Sequence, residues 1–166
     1  MAANKLEQIF KRQKEQKSPN KSGENDNIIQ LVGFIVGTEE FAVPILSIQE
    51  IIKPIEFTRV PSTPKYVLGV FNLRGTVIPI IDLRAKFGLG ASKQTEDTRY
   101  IVMKYKDDIA GFVIDKLTEA IRISESNIDP APETINQDSS LIYGIGKQKD
   151  RILTILKVEG LLKRDF

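Results

Sequence analysis

Gly69-Val70-Phe71-Asn72-Leu73-Arg74-Gly75-Thr76-Val77-Ile78-Pro79-Ile80-Ile81-Asp82-Leu83-Arg84-Ala85-Lys86-Phe87 reads as strand, tight turn, strand and helix start. Val70 and Phe71 are β-formers. Asn72 and Gly75 bracket a turn in which Gly75 takes positive φ without steric cost. Val77 to Ile81 is a short apolar run, the pattern of a strand buried on both faces. Pro79 removes one ladder donor, so an edge or bulge is expected beside it. Asp82 reads as the N-cap of a helix beginning at Leu83. Arg74 is a fixed cation inside this apolar block and needs a carboxylate or a partner surface.

Around this block the chain carries 24 Lys and Arg against 22 Asp and Glu. Residues 1–27 hold six of the first and four of the second, leaving 18 of each for the rest. The excess positive charge therefore belongs to a polar segment, 1–27, which reads as a flexible tail. A neutral body argues against nucleic acid as the main partner, because phosphate binding needs a basic face. No apolar stretch reaches the length of a membrane span, and the first residues carry no secretory signal. The chain has neither Cys nor His. Disulfides, thiolate nucleophiles, zinc–thiolate sites and the commonest general base are thereby excluded. A cytoplasmic protein is the simplest reading.

Outward from the central block, Ile29 to Val36 and Phe41 to Ile45 read as a hairpin around Gly37-Thr38-Glu39-Glu40. Leu46 to Ile52 fits either a strand or a helical turn. Pro54, Pro61 and Pro64 make Lys53 to Lys65 an extended connection, and Tyr66 to Leu68 reads as a turn of helix. Lys86 to Glu96 reads as a linker. The pattern then recurs: strands at Tyr100–Tyr105 and Ile109–Ile114 around Asp107-Asp108, an alternating segment at Lys116–Ile123, and a Pro-rich loop at Asp129–Pro132. Strands at Leu141–Gly146 and Arg151–Val158 and a short helix from Glu159 complete it.

This is an internal repeat. A shift of 69 positions lays Phe41–Ile52 over Ala110–Ile121, with Glu50 on Glu119. A shift of 75 lays Thr76–Ile81 over Arg151–Leu156. Each half offers about five short strands, which most often close into a small barrel and so remove exposed edges. Halves of this size are marginal alone, so two barrels sharing a core are expected. The approximate division is barrel 1 over 28–96, barrel 2 over 97–158 and a C-terminal short helix over 159–166. Ile80 and Ile155 are expected as equivalent core positions.

No chemistry of catalysis is legible. The phosphate loop GxxxxGK[ST] and the GxSxG elbow are absent, and Gly88-Leu89-Gly90 and Gly144-Ile145-Gly146 lack the third glycine of a dinucleotide fingerprint. Glu39-Glu40 and Asp107-Asp108 read as solvated turn carboxylates, and Asp138 with Ser139-Ser140 as loop residues. No cofactor or metal site is expected. What remains is surface. Glu50 sits among Ile48, Ile51 and Ile52, as Arg74 does in its own apolar block. They are either unrelated surface charges or a charge pair beside an apolar groove that orients a partner helix.

Asn72-Leu73-Arg74-Gly75 followed by Val77, Pro79 and Asp82-Leu83-Arg84 resembles the core signature of the CheW family of chemotaxis adaptors. Phe41-Ala42-Val43, Ile48-Gln49-Glu50-Ile51 and Pro130-Ala131-Pro132 match as well, and the likeness covers roughly 28–162. The resemblance implies two five-stranded SH3-like barrels side by side, with short helices, and no catalytic activity. Its implied partners are the regulatory domain of a CheA-type histidine kinase, the helical tip of a methyl-accepting chemoreceptor, and other copies of the chain in arrays at the inner membrane. Its receptor-groove positions fall on Ile48, Glu50 and Arg74, and on Arg99 and Ala120. Arg99 stands where an apolar residue is usual in the family. A coupling module of another motility pathway and a nucleic-acid-binding barrel are the alternative readings.

Overall fold

A computed structural model describes residues 27–90, 93–130 and 141–163. The first hairpin is β1 (Ile28–Val36) and β2 (Glu39–Pro44). A 3-10 turn, Ile45–Ser47, leads to β3 (Ile48–Ile52). β4 (Val67–Leu73), β5 (Thr76–Asp82) and α1 (Leu83–Lys86) follow. The second half brings β6 (Arg99–Tyr105), β7 (Asp108–Ile114), β8 (Lys116–Ser124), β9 (Ile128–Pro130), β10 (Ile142–Gln148), β11 (Arg151–Leu156) and α2 (Val158–Leu161). No described helix is long and apolar enough to cross a membrane. Of the polar segment 1–27, residues 1–26 lie outside the described residues, as do the Ala131-Pro132 pair, Asp138 to Ser140 and the last three residues.

The strands form two sheets, in the orders β8-β1-β2-β11-β10-β9 and β3-β6-β7-β5-β4. These are the two small SH3-like barrels, one with five strands and one with five plus the three-residue β9. Their membership corrects the division at 96/97. The β1–β2 hairpin of the first half pairs with β8 and β11 of the second. The β6–β7 hairpin of the second half pairs with β3 and β5 of the first. Local sequence sets where a strand lies. Which strand it joins is decided by where the whole apolar surface can be buried, here by exchanging hairpins.

The exchange explains why both hairpins are nearly continuously apolar. Ile29, Leu31 and Ala42 join Ile121, Ile123, Leu153 and Ile155 inside the six-stranded barrel. Tyr100, Val102 and Val113 join Phe71, Ile78 and Ile80 inside the five-stranded one. The alternate residues of the same hairpins, Phe34, Phe41, Ile101, Met103 and Phe112 among them, meet in a third core between the barrels. Each hairpin is a wall with two buried faces, as period-2 side-chain alternation allows. Asp115 fastens the crossing from β7 to β8. Its backbone N–H donates to the Ile35 carbonyl at 3.0 Å, and its Oδ2 accepts the Gly37 N–H at 2.7 Å and faces Arg84 at 3.5 Å.

Within the central block, Asp82 caps α1 as its sequence position suggests, its Oδ1 accepting the Arg84 N–H at 3.1 Å. Pro79 pairs with Val70 of β4, while the parallel ladder to β7 covers only Ile80 to Asp82. Its missing donor thus falls where β5 has no second neighbour. Val77 corrects the expectation of burial on both faces, because it is 64% exposed. The strand enters the core only from Ile78 onward. Tyr66–Leu68 is not helical, since β4 starts at Val67. Leu46–Ile52 resolves into the 3-10 turn followed by β3.

The connection from Lys53 to Lys65 straps the free edge of β4. Thr58 and Val70 exchange both backbone hydrogen bonds at 2.8 Å. Gly69 admits the strap, because a Cβ there would lie 2.2 Å from the Thr58 carbonyl oxygen, and its φ is +158°. Gly69→Ala is expected to displace the strap and cost about 1–3 kcal/mol by overpacking, read from denaturant midpoints. An unchanged midpoint would show that the strap moves aside freely.

Candidate partner-binding site

The β4–β5 hairpin turns through two residues, Arg74 at φ +53° and Gly75 at φ +89°. Two consecutive positive values suit the right-handed twist of the strands they join. Asn72 reinforces the turn, its Oδ1 accepting the Gly75 N–H at 2.9 Å. Asn72 and Gly75 thus shape the turn, Leu73 anchors it by packing against the five-stranded core, and Arg74 is presented at its tip.

Arg74 reaches across the barrel to β3. Its Nε donates to Glu50 Oε1 at 3.2 Å and its Nη2 to Oε2 at 3.1 Å. This fork-to-fork geometry fixes both side chains. β3 and β4 are the two edges of the five-stranded sheet, so the pair spans the barrel's seam. Arg74 keeps 76% of its side chain exposed while Glu50 keeps 23%. The guanidinium is held and still open to a visitor. Ile48 on the same strand is half-buried against the inter-barrel core. Leu46, Ile51 and Val77, exposed large apolar side chains, lie on the segments that carry the pair.

The hydrogen bonds from Arg74 hold the Glu50 carboxyl below the usual carboxylate range, and raise the arginine in turn. A carboxylate with a lowered pKa keeps its pair above the ordinary glutamate range and loses it only as pH falls through the lowered value. Glu50 is therefore expected to titrate below the usual glutamate range in carbon-detected NMR, and to move back up in Arg74→Ala. Identical titration in both proteins would remove the pair from solution.

The remaining candidates separate. Arg99 opens β6 and turns back on its own loop, donating to the carbonyls of Glu96 at 2.8 Å and Thr98 at 2.7 Å. Ala120 lies exposed on β8, opposite Val32 of β1 and thus on the other barrel. No described interaction links either residue to the ion pair.

A second charged cluster escaped the motif reading. Arg151, at the start of β11, binds Glu119 of β8 and Glu40 of β2, and Thr118 donates to Glu40 at 2.8 Å. Glu40 is thus a strand residue in a network and not a solvated turn carboxylate. The network closes the six-stranded barrel as Arg74 and Glu50 close the other. The signal for it was the repeat itself, which lays Glu50 on Glu119. Among the described residues no cluster of His, Cys, Asp or Glu has metal-binding geometry.

Two strand-exchanged barrels with an arginine–carboxylate seam define a double-barrel β protein. The CheW-like domain model matches residues 30–166, and the chain belongs to the CheW family. It is 59% identical to the chemotaxis protein CheW of Helicobacter pylori over 164 residues, covering 99% of both chains. It is 35% identical to the CheW of Bacillus subtilis over 137 residues, 82% of this chain and 88% of that one. The crystal structure of the scaffolding protein TtCheW from Thermoanaerobacter tengcongensis superimposes with a TM-score of 0.77 at 32% identity, over 82% of this chain and 94% of that one.

Proposed function

We propose that this chain is a non-catalytic chemotaxis adaptor that couples the regulatory domain of a CheA-type histidine kinase to the cytoplasmic tip of chemoreceptors. It works in the cytoplasm, recruited to receptor arrays at the inner membrane, where copies of the chain also meet. The observation that carries the reading is the forked Glu50–Arg74 pair, whose guanidinium is fixed at the tip of a rigid turn yet mostly exposed. An exposed ion pair adds little to folding stability. Its value lies in register and specificity toward a helical partner. Ile48, Glu50 and Arg74 form one wall of the receptor groove, Ala120 belongs to the other barrel's wall, and Arg99 flanks the entrance.

Size-exclusion co-elution tests this reading, with the kinase regulatory domain and a receptor-tip fragment from the same cell. Co-elution with both supports the adaptor. Folded protein that binds neither at moderate salt overturns it.

A further inference from the structure

An open cavity of about 250 Å³ lies beside Ala120 on the six-stranded barrel. It is lined by Glu119, Ala120, Arg122, Gln148, Lys149 and Arg151 among others. Three cations therefore face one carboxylate. That carboxylate is already engaged, because Glu119 pairs with Arg151. Arg122 and Lys149 are exposed, and no carboxylate pairs with either among the described interactions.

The repeat makes this surplus specific. A shift of 75 lays Arg74 over Lys149, and a shift of 69 lays Glu50 over Glu119. Lys149 sits in its turn at φ +55°, close to the +53° of Arg74. On the first barrel the turn cation holds the β3 glutamate. On the second, Arg151 has taken the corresponding glutamate, so the turn cation stands without its carboxylate. The mount is nonetheless firm: Arg151 ties β11 to β8 and β2, and Gln148 Nε2 donates to the Arg122 carbonyl at 3.0 Å.

We propose that the partner helix supplies the missing carboxylates. Resting on the adaptor reading, the inference assigns Arg122 and Lys149 as specificity residues of the receptor groove, binding acidic side chains on the receptor tip. Acidic residues three or four apart on a helix stand about 5–6 Å from one another, a spacing suited to two neighbouring cations. Arg122 can meet one in a forked pair. The small exposed side chain of Ala120, two residues from Arg122 on β8 and lining the same cavity, leaves room for a helix to approach. A polyanion such as nucleic acid is disfavoured, because the body carries zero net charge and phosphate binding needs a basic face.

The test is a binding titration of the full chain with the receptor-tip fragment at low and moderate salt. Arg122→Glu/Lys149→Glu is expected to weaken binding at least tenfold and flatten its salt dependence. Arg122→Gln/Lys149→Gln should fall between. Affinity for the kinase regulatory domain should stay within twofold, which also reports an intact fold. Wild-type affinity for the tip in the double reversal overturns the inference and leaves the adaptor reading standing. Equal losses for tip and kinase domain overturn the assigned occupant. Wild-type protein that binds neither partner overturns the adaptor reading and this inference with it.

Discussion

Ile80→Ala and Ile155→Ala are each expected to lower the free energy of unfolding by about 2–5 kcal/mol, the range for truncating a buried isoleucine where the site collapses only in part. Both side chains are 0% exposed. Ile80 packs with Phe71, Tyr100 and Val113 inside one barrel, and Ile155 with Leu31, Ile121 and Leu153 inside the other. The second site is especially tight: a Cβ placed on Gly146 would lie 3.3 Å from the Ile155 Cδ1. Neither cluster contains a methionine that could fill the cavity. Because the two positions belong to separate clusters, the double mutant should show losses that add to within about 0.5 kcal/mol. Chemical denaturation followed by circular dichroism measures all three. A loss under about 0.5 kcal/mol at either site, the range for uninvolved surface positions, would mean that the barrel cores lie elsewhere.

Charge reversal at the seam should act on binding and leave the fold alone. Glu50→Arg sets two guanidinium groups against each other, and Arg74→Glu sets two carboxylates together. Each is expected to weaken capture of the receptor tip by about tenfold or more, as for losing a charge-assisted contact that fixes a partner's register. The exchanged pair, Glu50→Arg with Arg74→Glu, should recover part of that loss. Recovery will be incomplete, since the exchanged pair no longer presents the exposed guanidinium at the turn tip. Thermal melts of all three should stay near wild type, because Arg74 is largely solvent-exposed. Full affinity in both single reversals, with no added effect of the swap, would show two unrelated surface charges.

Much of this was legible in the sequence, for physical reasons that differ from place to place. The Asn72–Gly75 turn and the Asp82 cap were readable because each rests on a side chain and its near neighbours. The hairpins were readable because alternation and turn residues are local signals. The exchange of hairpins was not: the apolar residues from Phe41 onward mark a strand without saying which strands it will join. Leu46–Ile52 was ambiguous for a related reason, its apolar spacing serving a 3-10 turn and a strand in succession. Of the candidate site, Glu50 and Arg74 came together as the charge-pair reading required. Arg99 and Ala120, which came from resemblance alone, sit on other elements. Glu40 read as a turn carboxylate and its link to Arg151 was hidden, because the two lie far apart in the chain and meet only through the parallel pairing of β2 with β11.

The exchanged hairpins also bear on how the chain reaches its native state. Ile28 pairs with Ser124, and β2 waits for β11, the last of the described strands. The six-stranded barrel therefore cannot close until β11 has been synthesised, and loop-closure entropy makes such distant pairings slow. The five-stranded barrel is complete once β7 has emerged, and until then its own hairpin is missing. Birth order thus permits the five-stranded sheet to pair first, with the face of β6 and β7 still uncovered. The β1–β2 hairpin, made earlier than its partners β8 and β11, covers that face in the finished protein.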